Sequence, residues 1–389
     1  GAREIEEAAR LLVEAKRPIV VVGDEVWKSG AQAELVAFAE KLGLAVAAGN
    51  QSFRNFPTKH SHYLGNFSMG SEYVRGADLL LCVGARDFGG RVIPQASEAP
   101  PAATIMRIGL DTSSMSRNYA TDLALVSDVK QALIDLGAAV DGILTRKRIS
   151  GLGKARAEEL RAITTAMHAK ADAAAKKNFG RKPIDPDELG AVMARTIDPN
   201  AIVVSENLTG KHDAFRLGFR ENEQTWIGNS GNSLGWGIGA SIGAKLAAPD
   251  RQVVCSIGDG AVMYSASGFW TQARYSVPVL NVVWNNHNYQ TVRFAYYNYK
   301  GKMATSGHYA GMYLGDPNID FVKLAESQGV AGEKVERGDQ IEPALKRGIA
   351  AARDGKPYVV EVIIARYGGG AESTWHEKFN LAERRKRRV

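Results

Sequence analysis

The sequence predicts an α/β protein with two doubly wound parallel-sheet domains. Three observations predict it: short continuous apolar runs typical of buried strands, helical patterns between those runs, and a length of 389 residues, which is too long for a single small module. Strands that are apolar on both faces occur in parallel sheets covered by helices on both sides. With 45% hydrophobic and 23% charged residues, the composition is that of a globular chain and excludes an intrinsically disordered one.

The first domain is predicted over residues 1–145 and is Rossmann-like, because helices and buried strands alternate along it. Its N-terminal segment is charged and amphipathic, which predicts a helix rather than a signal peptide. The predicted helices are 4–16, 31–43, 71–76 and 129–137, and the predicted strands are 19–22, 44–48, 79–83, 105–108 and 123–126.

Residues 146–182 are predicted to be a basic, partly helical linker exposed to solvent. They hold 11 Lys and Arg against 3 Asp and Glu, a net charge of +8, and residues 383–389 add +4. Because the whole chain carries +7, the remainder carries −5. The domains therefore offer no basic surface typical of a nucleic-acid-binding protein, and we expect no nucleic acid as a partner.

The second domain is predicted over residues 183–367 and repeats the α/β alternation. Its predicted strands are 201–205, 253–257, 279–284 and 358–364, and its predicted helices are 234–247, 264–275, 319–328 and 340–353. Residues 368–370 are three consecutive glycines, and the polar segment 368–389 is predicted to be a C-terminal tail.

Cysteine usage and hydropathy indicate the compartment. Cys82 and Cys255 each lie inside an apolar run, so we expect buried reduced thiols rather than a disulfide. No apolar run approaches the ~20 residues that a membrane span requires. These observations predict a cytoplasmic protein without a membrane partner.

The most informative motif joins the ends of two neighbouring predicted strands. The run VVCSI is followed by Gly258-Asp259-Gly260, and the run VLNVVW is followed by Asn285-Asn286-His287-Asn288. Since the carboxyl ends of parallel strands form the ligand-binding edge of a doubly wound sheet, both motifs lie at that edge. Glycines let a backbone approach phosphate, and carboxylate and amide oxygens suit Mg²⁺, so the pattern predicts a diphosphate held through a metal.

This motif resembles that of the thiamine diphosphate-dependent decarboxylase and acetolactate synthase superfamily. There the Asp of GDG, the second Asn of the pair and the carbonyl oxygen two residues later bind Mg²⁺. The resemblance therefore implies Asp259, Asn286 and the backbone oxygen of Asn288 as metal ligands.

The same resemblance implies a set of cofactor-binding residues. The segment that begins NSLGWGIGA is similar to the glycine-rich helix entry of the family, which places Leu234 where an apolar side chain supports the bent thiamine. The loop SENLTG is similar to a second diphosphate-contacting loop. The implied cofactor-binding residues are Asn207, Thr209, Asn232, Leu234, Gly258, Gly260, Ala261, Val262 and Asn288.

Residues 1–145 resemble the middle domain of that superfamily, through RPIVVVGDEVWKSGA, ADLLLCVGARDFG and RIGLDTSSM. Some relatives bind FAD or ADP there, but the dinucleotide fingerprint G-x-G-x-x-G is missing after the first strand, so neither ligand is assigned. Family members also carry a pyrimidine-binding domain whose Glu activates the cofactor. This chain begins where that domain would have ended. We therefore expect a split enzyme with a separate pyrimidine-binding subunit, as a heterotetramer or larger; a processed fragment is the alternative.

Several other residues have competing interpretations. No catalytic residue is assigned, since the activating Glu is expected in the partner, and His287 is the candidate in this chain. Glu206 and His212 could contact a ligand or make structural hydrogen bonds. The aromatic residues of 293–314 fit a substrate pocket or a subunit interface, and 384–388 fit a solvated tail better than a site for coenzyme A phosphates.

The function that these features predict is a thiamine diphosphate- and Mg²⁺-dependent lyase. It would cleave or form a C–C bond next to a carbonyl in a 2-oxo acid or a 2-hydroxyacyl(-CoA) compound. Two alternatives stay open: an acetolactate synthase-like carboligase, and a noncatalytic cofactor-binding regulatory subunit.

Overall fold

The computed structural model of the chain describes residues 1–49, 52–86, 99–207, 226–228 and 233–377. These residues form two compact α/β units. The first unit contains residues 1–177 and 214–231, and the second contains residues 178–213 and 232–389. The first unit therefore extends beyond residue 145, where the sequence predicted the end of the first domain.

The first unit is built on a parallel sheet with the strand order β3-β2-β1-β4-β5-β6. The strands are β1 (Pro18–Val22), β2 (Ala45–Ala48), β3 (Tyr63–Asn66), β4 (Leu79–Val83), β5 (Thr104–Gly109) and β6 (Leu123–Val126). The predicted doubly wound fold is thereby confirmed for this unit. The sequence pattern missed β3, because this edge strand is only partly buried and has no continuous apolar run.

Helices cover both faces of this sheet. They are α1 (Ala2–Glu14), α2 (Glu25–Lys28), α3 (Gln32–Leu42), α4 (Glu72–Arg75), α5 (Val129–Ile143) and α6 (Arg146–Lys176). Val20 and Val22 face a cluster that includes Leu12 of α1. Their neighbours Ile19 and Val21 face a second cluster on the opposite side. Because every residue of β1 is buried, alternation cannot appear in its sequence, and the run is continuously apolar.

Helix α6 occupies most of the predicted linker, and it packs on the first unit rather than extending into solvent. Leu160 is fully buried on one face of the sheet. The buried guanidinium of Arg156 donates hydrogen bonds to the carbonyl oxygens of Leu42, at 3.1 Å, and of Ala15. The prediction of a solvent-exposed linker is wrong for this face of α6. The residues that pack on the unit are spaced among exposed Lys and Arg residues, so the composition of the whole segment does not reveal them.

The second unit contains a parallel sheet with the strand order β11-β12-β10-β9-β7. The strands are β7 (Ile202–Glu206), β9 (Val253–Gly258), β10 (Leu280–Asn285), β11 (Ala331–Val335) and β12 (Tyr358–Ile363); the short β8 (Trp226–Gly228) belongs to the first unit. This sheet confirms the second half of the predicted fold class. Strand β11 was not predicted, since its residues AGEKV are mostly polar and partly exposed.

The helices of the second unit include three segments for which no helix was predicted. The helices are α7 (Pro186–Thr196), α8 (Trp236–Ala247), α9 (Asp259–Ser265), α10 (Gly268–Arg274), α11 (Gln290–Tyr299), α12 (Lys302–Ser306), α13 (Phe321–Glu326) and α14 (Gly338–Arg353). Helix α7 has the Asp185 side chain as its N-cap, bonded to the Asp187 amide at 2.8 Å. Helices α11 and α12 occupy much of the aromatic segment 293–314, for which the sequence predicted no helix.

Cys82 and Cys255 are both buried thiols, which confirms that prediction. Burial raises the pKa of the Cys255 thiol to about 12, so it stays protonated at neutral pH. Within the residues that the structure describes, none of the helices combines the length and the apolar character that a transmembrane segment requires.

Candidate functional site

The two motifs identified in the sequence lie at adjacent strand ends in the second unit. Strand β9 ends at Gly258 and β10 ends at Asn285, and the two strands pair in parallel with Trp284 opposite Gly258. The residues that follow each strand therefore emerge at the same edge of the sheet. This edge brings Asp259 next to the 286–288 turn.

Asp259 is a buried carboxylate at the first position of α9. Its Oδ1 accepts the Gly260 amide at 2.8 Å, and its Oδ2 accepts the Asn288 amide at 3.2 Å. Burial raises the pKa of Asp259 to about 7, although these amides act in the opposite direction. A carboxylate this buried needs a positive partner to remain ionised, and a bound cation supplies one.

Asn286 offers an oxygen toward the same region. Its Nδ2 donates to Oε1 of Gln290 at 3.2 Å, while its Oδ1 is buried without a hydrogen-bond partner among the described residues. A buried amide oxygen without a partner is unfavourable in an empty protein and is satisfied by a metal ion. Gln290 thus sets which amide atom of Asn286 is available.

The backbone around Asn288 is fixed by hydrogen bonds to the segment 312–314. The Tyr289 amide donates to the Met312 carbonyl at 2.9 Å, and the Leu314 amide donates to the His287 carbonyl at 2.8 Å. The Asn288 carbonyl accepts the Gln290 amide at 2.8 Å, which uses one of its two lone pairs. The second lone pair remains for a metal ion.

His287 lies at the centre of this turn with a left-handed backbone, φ 53°. Its ring is half-buried, and its Nδ1 has no hydrogen-bond partner among the described residues. Burial and the positive charges of Arg366 and Lys334 lower the pKa of His287. A neutral imidazole at this position could accept or relay a proton, so His287 stays the candidate catalytic residue of this chain.

The glycines of the motif have different surroundings. A Cβ at Gly258 would meet no described atom within 4 Å, so this position leaves room for a ligand. A Cβ at Gly260 would come within 2.6 Å of the Tyr289 ring, so Gly260 permits close packing instead. Ala261 and Val262 continue the first turn of α9 and are buried. The N–H groups of a first helical turn have no intrahelical acceptor and suit a phosphate.

Glu206 at the end of β7 makes structural hydrogen bonds, which answers one of the questions left open by the sequence. Its buried carboxylate accepts the amides of Gly235 and Gly237, the latter at 2.6 Å, at the start of α8. Burial raises the pKa of Glu206, and these amides oppose the shift. The contacts fix Gly235, with φ 89°, and hence the backbone beside the half-buried Leu234.

The remaining predicted residues are placed less completely. Asn207 directly follows Glu206 at the end of β7. Thr209, Asn232, His212 and the segment 384–388 lie outside the described residues.

The donor set fits Mg²⁺ and a diphosphate. One carboxylate, one side-chain amide oxygen and one backbone carbonyl are hard oxygen ligands, and they leave positions for phosphate oxygens. In the part of the chain that the structure describes, no group of three or more His, Cys, Asp or Glu side chains could hold a metal ion.

Comparison with known proteins agrees with this geometry. The family "Thiamine pyrophosphate enzyme, C-terminal TPP binding domain" matches residues 209–362, and "Thiamine pyrophosphate enzyme, central domain" matches residues 5–136. The chain belongs to the thiamine pyrophosphate enzymes. Thiamine pyrophosphate is the same molecule as thiamine diphosphate, and the second unit carries the domain that binds it.

Curated relatives of this thiamine pyrophosphate enzyme include acetolactate synthase subunits. The acetolactate synthase isozyme 3 large subunit of Escherichia coli is 26% identical over 393 residues, covering 96% of this chain and 66% of the relative. The acetolactate synthase large subunit of Corynebacterium glutamicum is 28% identical over 376 residues, covering 93% and 57%. The chain thus spans about two thirds or less of the length of these relatives.

Solved structures give a similar result. A thiamine diphosphate-dependent 4-hydroxybenzoylformate decarboxylase from Rhodococcus jostii matches with a TM-score of 0.74 and 26% identity, over 94% of this chain and 64% of that one. A benzoylformate decarboxylase from Polynucleobacter necessarius matches with a TM-score of 0.71 and 20% identity, over 94% and 64%, and supports the fold alone.

The first unit has a cleft of about 730 Å³ whose described lining includes four carboxylates and two cations, namely Asp24, Glu25, Asp111, Asp128, Lys28 and Arg86. The Glu25 carboxylate accepts the amides of Leu110, at 2.7 Å, and Asp111, at 3.3 Å. Asp24 accepts the Ser52 amide at 2.8 Å. These carboxylates occupy amides at the strand ends, and Arg86 pairs with Asp111 at 3.0 Å in the same cleft.

The triple glycine is packed rather than hinge-like. The fully buried Arg293 of α11 donates to the carbonyls of Tyr367, at 3.1 Å, and Ala371, at 3.0 Å, on either side of the glycines. A Cβ at Gly369 would come within 2.1 Å of the Tyr297 ring. Trp375 stacks on His308 with ring centroids 4.8 Å apart. The described part of the tail is therefore docked on α11 and the segment that follows it.

Two residues near the motif were missed by the sequence interpretation: Gln290, which orients Asn286, and Glu361, which contacts Asn285. Gln290 lies only four residues after Asn286, and helical spacing could have indicated that contact. Glu361 lies 76 residues from Asn285, and only its unusual charge within an apolar strand marked it.

Proposed function

We propose that the second unit binds the diphosphate of thiamine diphosphate through Mg²⁺, with Asp259, Asn286 and the Asn288 carbonyl as protein ligands. The observation that carries the proposal is the buried Oδ1 of Asn286, without a partner, beside the buried carboxylate of Asp259. The open surroundings of Gly258 support its backbone as a phosphate neighbour. Asn207, Thr209, Asn232, Gly260, Ala261 and Val262 are the further proposed cofactor contacts, with Leu234 as the apolar support.

The test is calorimetric titration of thiamine diphosphate and Mg²⁺ into the purified chain and into Asp259→Asn. Losing the anionic ligand should weaken cofactor binding by more than the roughly 10- to 100-fold expected for residues behind a metal ligand. Asp128→Asn, at the N-cap of α5 in the first unit, is a matched control that should bind as the wild type does. Equal affinity in folded Asp259→Asn would overturn the metal assignment.

The activity that we propose is cleavage or formation of a C–C bond next to a carbonyl, in a 2-oxo acid or a 2-hydroxyacyl(-CoA) compound. Bound thiamine diphosphate would supply the electron sink for this chemistry. The residues of this chain would anchor the cofactor, support its bent shape through Leu234 and offer His287 for proton transfer. The likeness to a 4-hydroxybenzoylformate decarboxylase supports the decarboxylase or lyase form of this activity.

The names of the curated relatives favour a second candidate, an acetolactate synthase-like carboligase. Product analysis separates the two. With pyruvate, a decarboxylase releases CO₂ and an aldehyde, whereas a carboligase gives acetolactate. A chain that binds the cofactor but supports neither reaction, alone or with a partner, would be the noncatalytic subunit instead.

We also propose that the aminopyrimidine of the cofactor is bound by a separate subunit that contributes the activating Glu. In this arrangement the second unit holds the diphosphate end of the cofactor, and a heteromer with at least two copies of each chain completes the site. Mass spectrometry of the native complex would identify the partner. Steady turnover of a 2-oxo or 2-hydroxyacyl substrate by this chain alone, with Mg²⁺ and cofactor supplied, would contradict the split site.

A further inference from the structure

A polar pair is buried behind the turn that carries the proposed metal ligands. Glu361 on β12 and Asn285 at the end of β10 both have an exposed fraction of 0%. Asn285 Nδ2 donates to Glu361 Oε1 at 2.7 Å. Two fully buried polar side chains in an apolar sheet are costly unless their hydrogen bonds are made, so this contact is specific.

Asn285 connects Glu361 to the turn. Its Oδ1 accepts the His287 amide at 2.9 Å. This bond holds His287 in the left-handed region, which residues with a Cβ rarely adopt. The chain reverses direction at His287. The next amide, that of Asn288, therefore donates to Asp259 Oδ2 at 3.2 Å.

Glu361 determines which way the Asn285 amide faces. Glu361 Oε1 accepts from Nδ2, which leaves Oδ1 of Asn285 for the turn. Burial raises the pKa of Glu361, and the Asn285 hydrogen bond and the charge of Lys334 oppose this shift. Lys334 lies 3.7 Å from Glu361 Oε2 and 3.4 Å from Asp320 Oδ2, and it supplies the positive charge that compensates the buried carboxylate. Lys334, Glu361 and Asn285 thus form a connected series from the edge strand to the turn.

We propose that Glu361 is a positioning residue for the diphosphate and metal site: through Asn285 it fixes the His287–Asn288 turn and thereby the Asn288 carbonyl and the Asp259 carboxylate. The proposal rests on the proposed function, because the turn is the proposed ligand-bearing segment. A merely structural role would stabilise the sheet without affecting metal affinity.

The test compares three variants with the wild type. Glu361→Met keeps the volume and removes the acceptor, Glu361→Gln keeps an acceptor for Asn285, and Asn285→Ala removes the link itself. Glu333→Gln is the matched control, since Glu333 directly precedes Lys334 on the edge strand β11 but pairs with Arg347. Mn²⁺ binding in the presence of thiamine diphosphate is measured by electron paramagnetic resonance, and folding by circular dichroism.

We expect Glu361→Met and Asn285→Ala each to weaken Mn²⁺ binding by about 10- to 100-fold, the range for residues that orient metal ligands. Glu361→Gln should restore most of the affinity, and Glu333→Gln should not change it. In the Asn285→Ala background, Glu361→Met should have little additional effect, because the two act through one path. If Glu361→Met does not fold, Asn285→Ala, which leaves the Lys334 contact in place, carries the test.

Hydrogen exchange of the ligand-free protein gives an independent readout. Peptides covering 286–289 should exchange faster in Glu361→Met and Asn285→Ala than in the wild type or in Glu333→Gln. Wild-type protein that binds neither Mn²⁺ nor cofactor would overturn the proposed function itself. Wild-type binding that is unchanged in folded Glu361→Met and Asn285→Ala would overturn the positioning role alone.

Discussion

At the residue scale, the buried and half-buried carboxylates differ in how their charge is satisfied. Glu25 and Glu206 accept backbone amides of neighbouring segments. The Glu361 carboxylate accepts the side-chain amide of Asn285 and lies near the ammonium group of Lys334. Asp259 also accepts amides, and beside it the buried Oδ1 of Asn286 has no hydrogen-bond partner among the described residues. Burial of a carboxylate by itself therefore does not distinguish a candidate site from a structural contact.

His62 gives a pH-dependent prediction for the first unit. Burial, followed by the charge of His60, lowers the pKa of His62 to about 4. Since an unfolded histidine titrates near 6.5, the unfolded chain binds a proton that the folded chain does not, and stability falls as the pH decreases from about 6.5 toward 4. Between pH 7 and pH 5 this residue should account for a loss of roughly 2 kcal/mol.

Urea unfolding of the wild type and of His62→Gln at pH 7 and pH 5 measures this effect. The variant should show a smaller loss of stability on acidification than the wild type does. The same loss in both proteins would show that His62 is not responsible.

At the element scale, the close approach of two backbone segments determines which residue can connect β1 to α2. Gly23 follows β1, and a Cβ there would lie 2.4 Å from the Gly84 carbonyl and 2.4 Å from the Ala85 Cα after β4. These are backbone atoms of the adjacent strand end and cannot rotate away. The connection from β1 to α2 therefore requires glycine at this position.

Gly23→Ala should destabilise the first unit by more than the ~1 kcal/mol typical of an average substitution. Gly137→Ala in α5 is the matched control, because a Cβ there meets no described atom within 4 Å and Ala favours a helix over Gly by about 1 kcal/mol. Differential scanning calorimetry should show a lower Tm for the first variant and an unchanged or higher Tm for the second. A wild-type Tm for Gly23→Ala would mean that the strand ends can separate without cost.

At the scale of the whole molecule, the two units share a sheet architecture but offer different chemistry at their strand ends. In the second unit the edge combines glycines, a buried Asp and available oxygens. In the first unit the corresponding edge is lined by Asp24, Glu25, Asp111 and Asp128, with carboxylates already bonded to amides. The same fold thus presents different side-chain chemistry at the strand ends of the two units.

The first unit should consequently not bind FAD or ADP. Titration of FAD into the purified protein should leave its fluorescence unquenched, and no flavin absorbance should accompany the protein through purification. Thiamine diphosphate with Mg²⁺ serves as the positive control for a folded preparation. Stoichiometric flavin binding would show that Glu25 can leave the Leu110 and Asp111 amides.

The sequence by itself determined the fold class, the strands that are continuously buried, and the pair of motifs at the ends of β9 and β10. These features are local: a strand buried on both faces must be apolar throughout, and glycine, carboxylate and amide residues at a fixed spacing carry their chemistry wherever they lie. For the same reason the polar edge strands β3 and β11 and the aromatic helix α11 escaped prediction, since partial burial leaves no clear pattern.

Only the tertiary structure decided which side chains are satisfied by the chain and which are left for a ligand. Local sequence does not distinguish Glu206, Glu25 and Glu361 from residues of a binding site. Each of them bonds to residues distant in sequence. The docking of α6 and of the triple glycine likewise depends on Arg156 and Arg293 reaching carbonyl oxygens far along the chain. Long-range hydrogen bonds have no local signature, because their partners meet only after the sheets have formed.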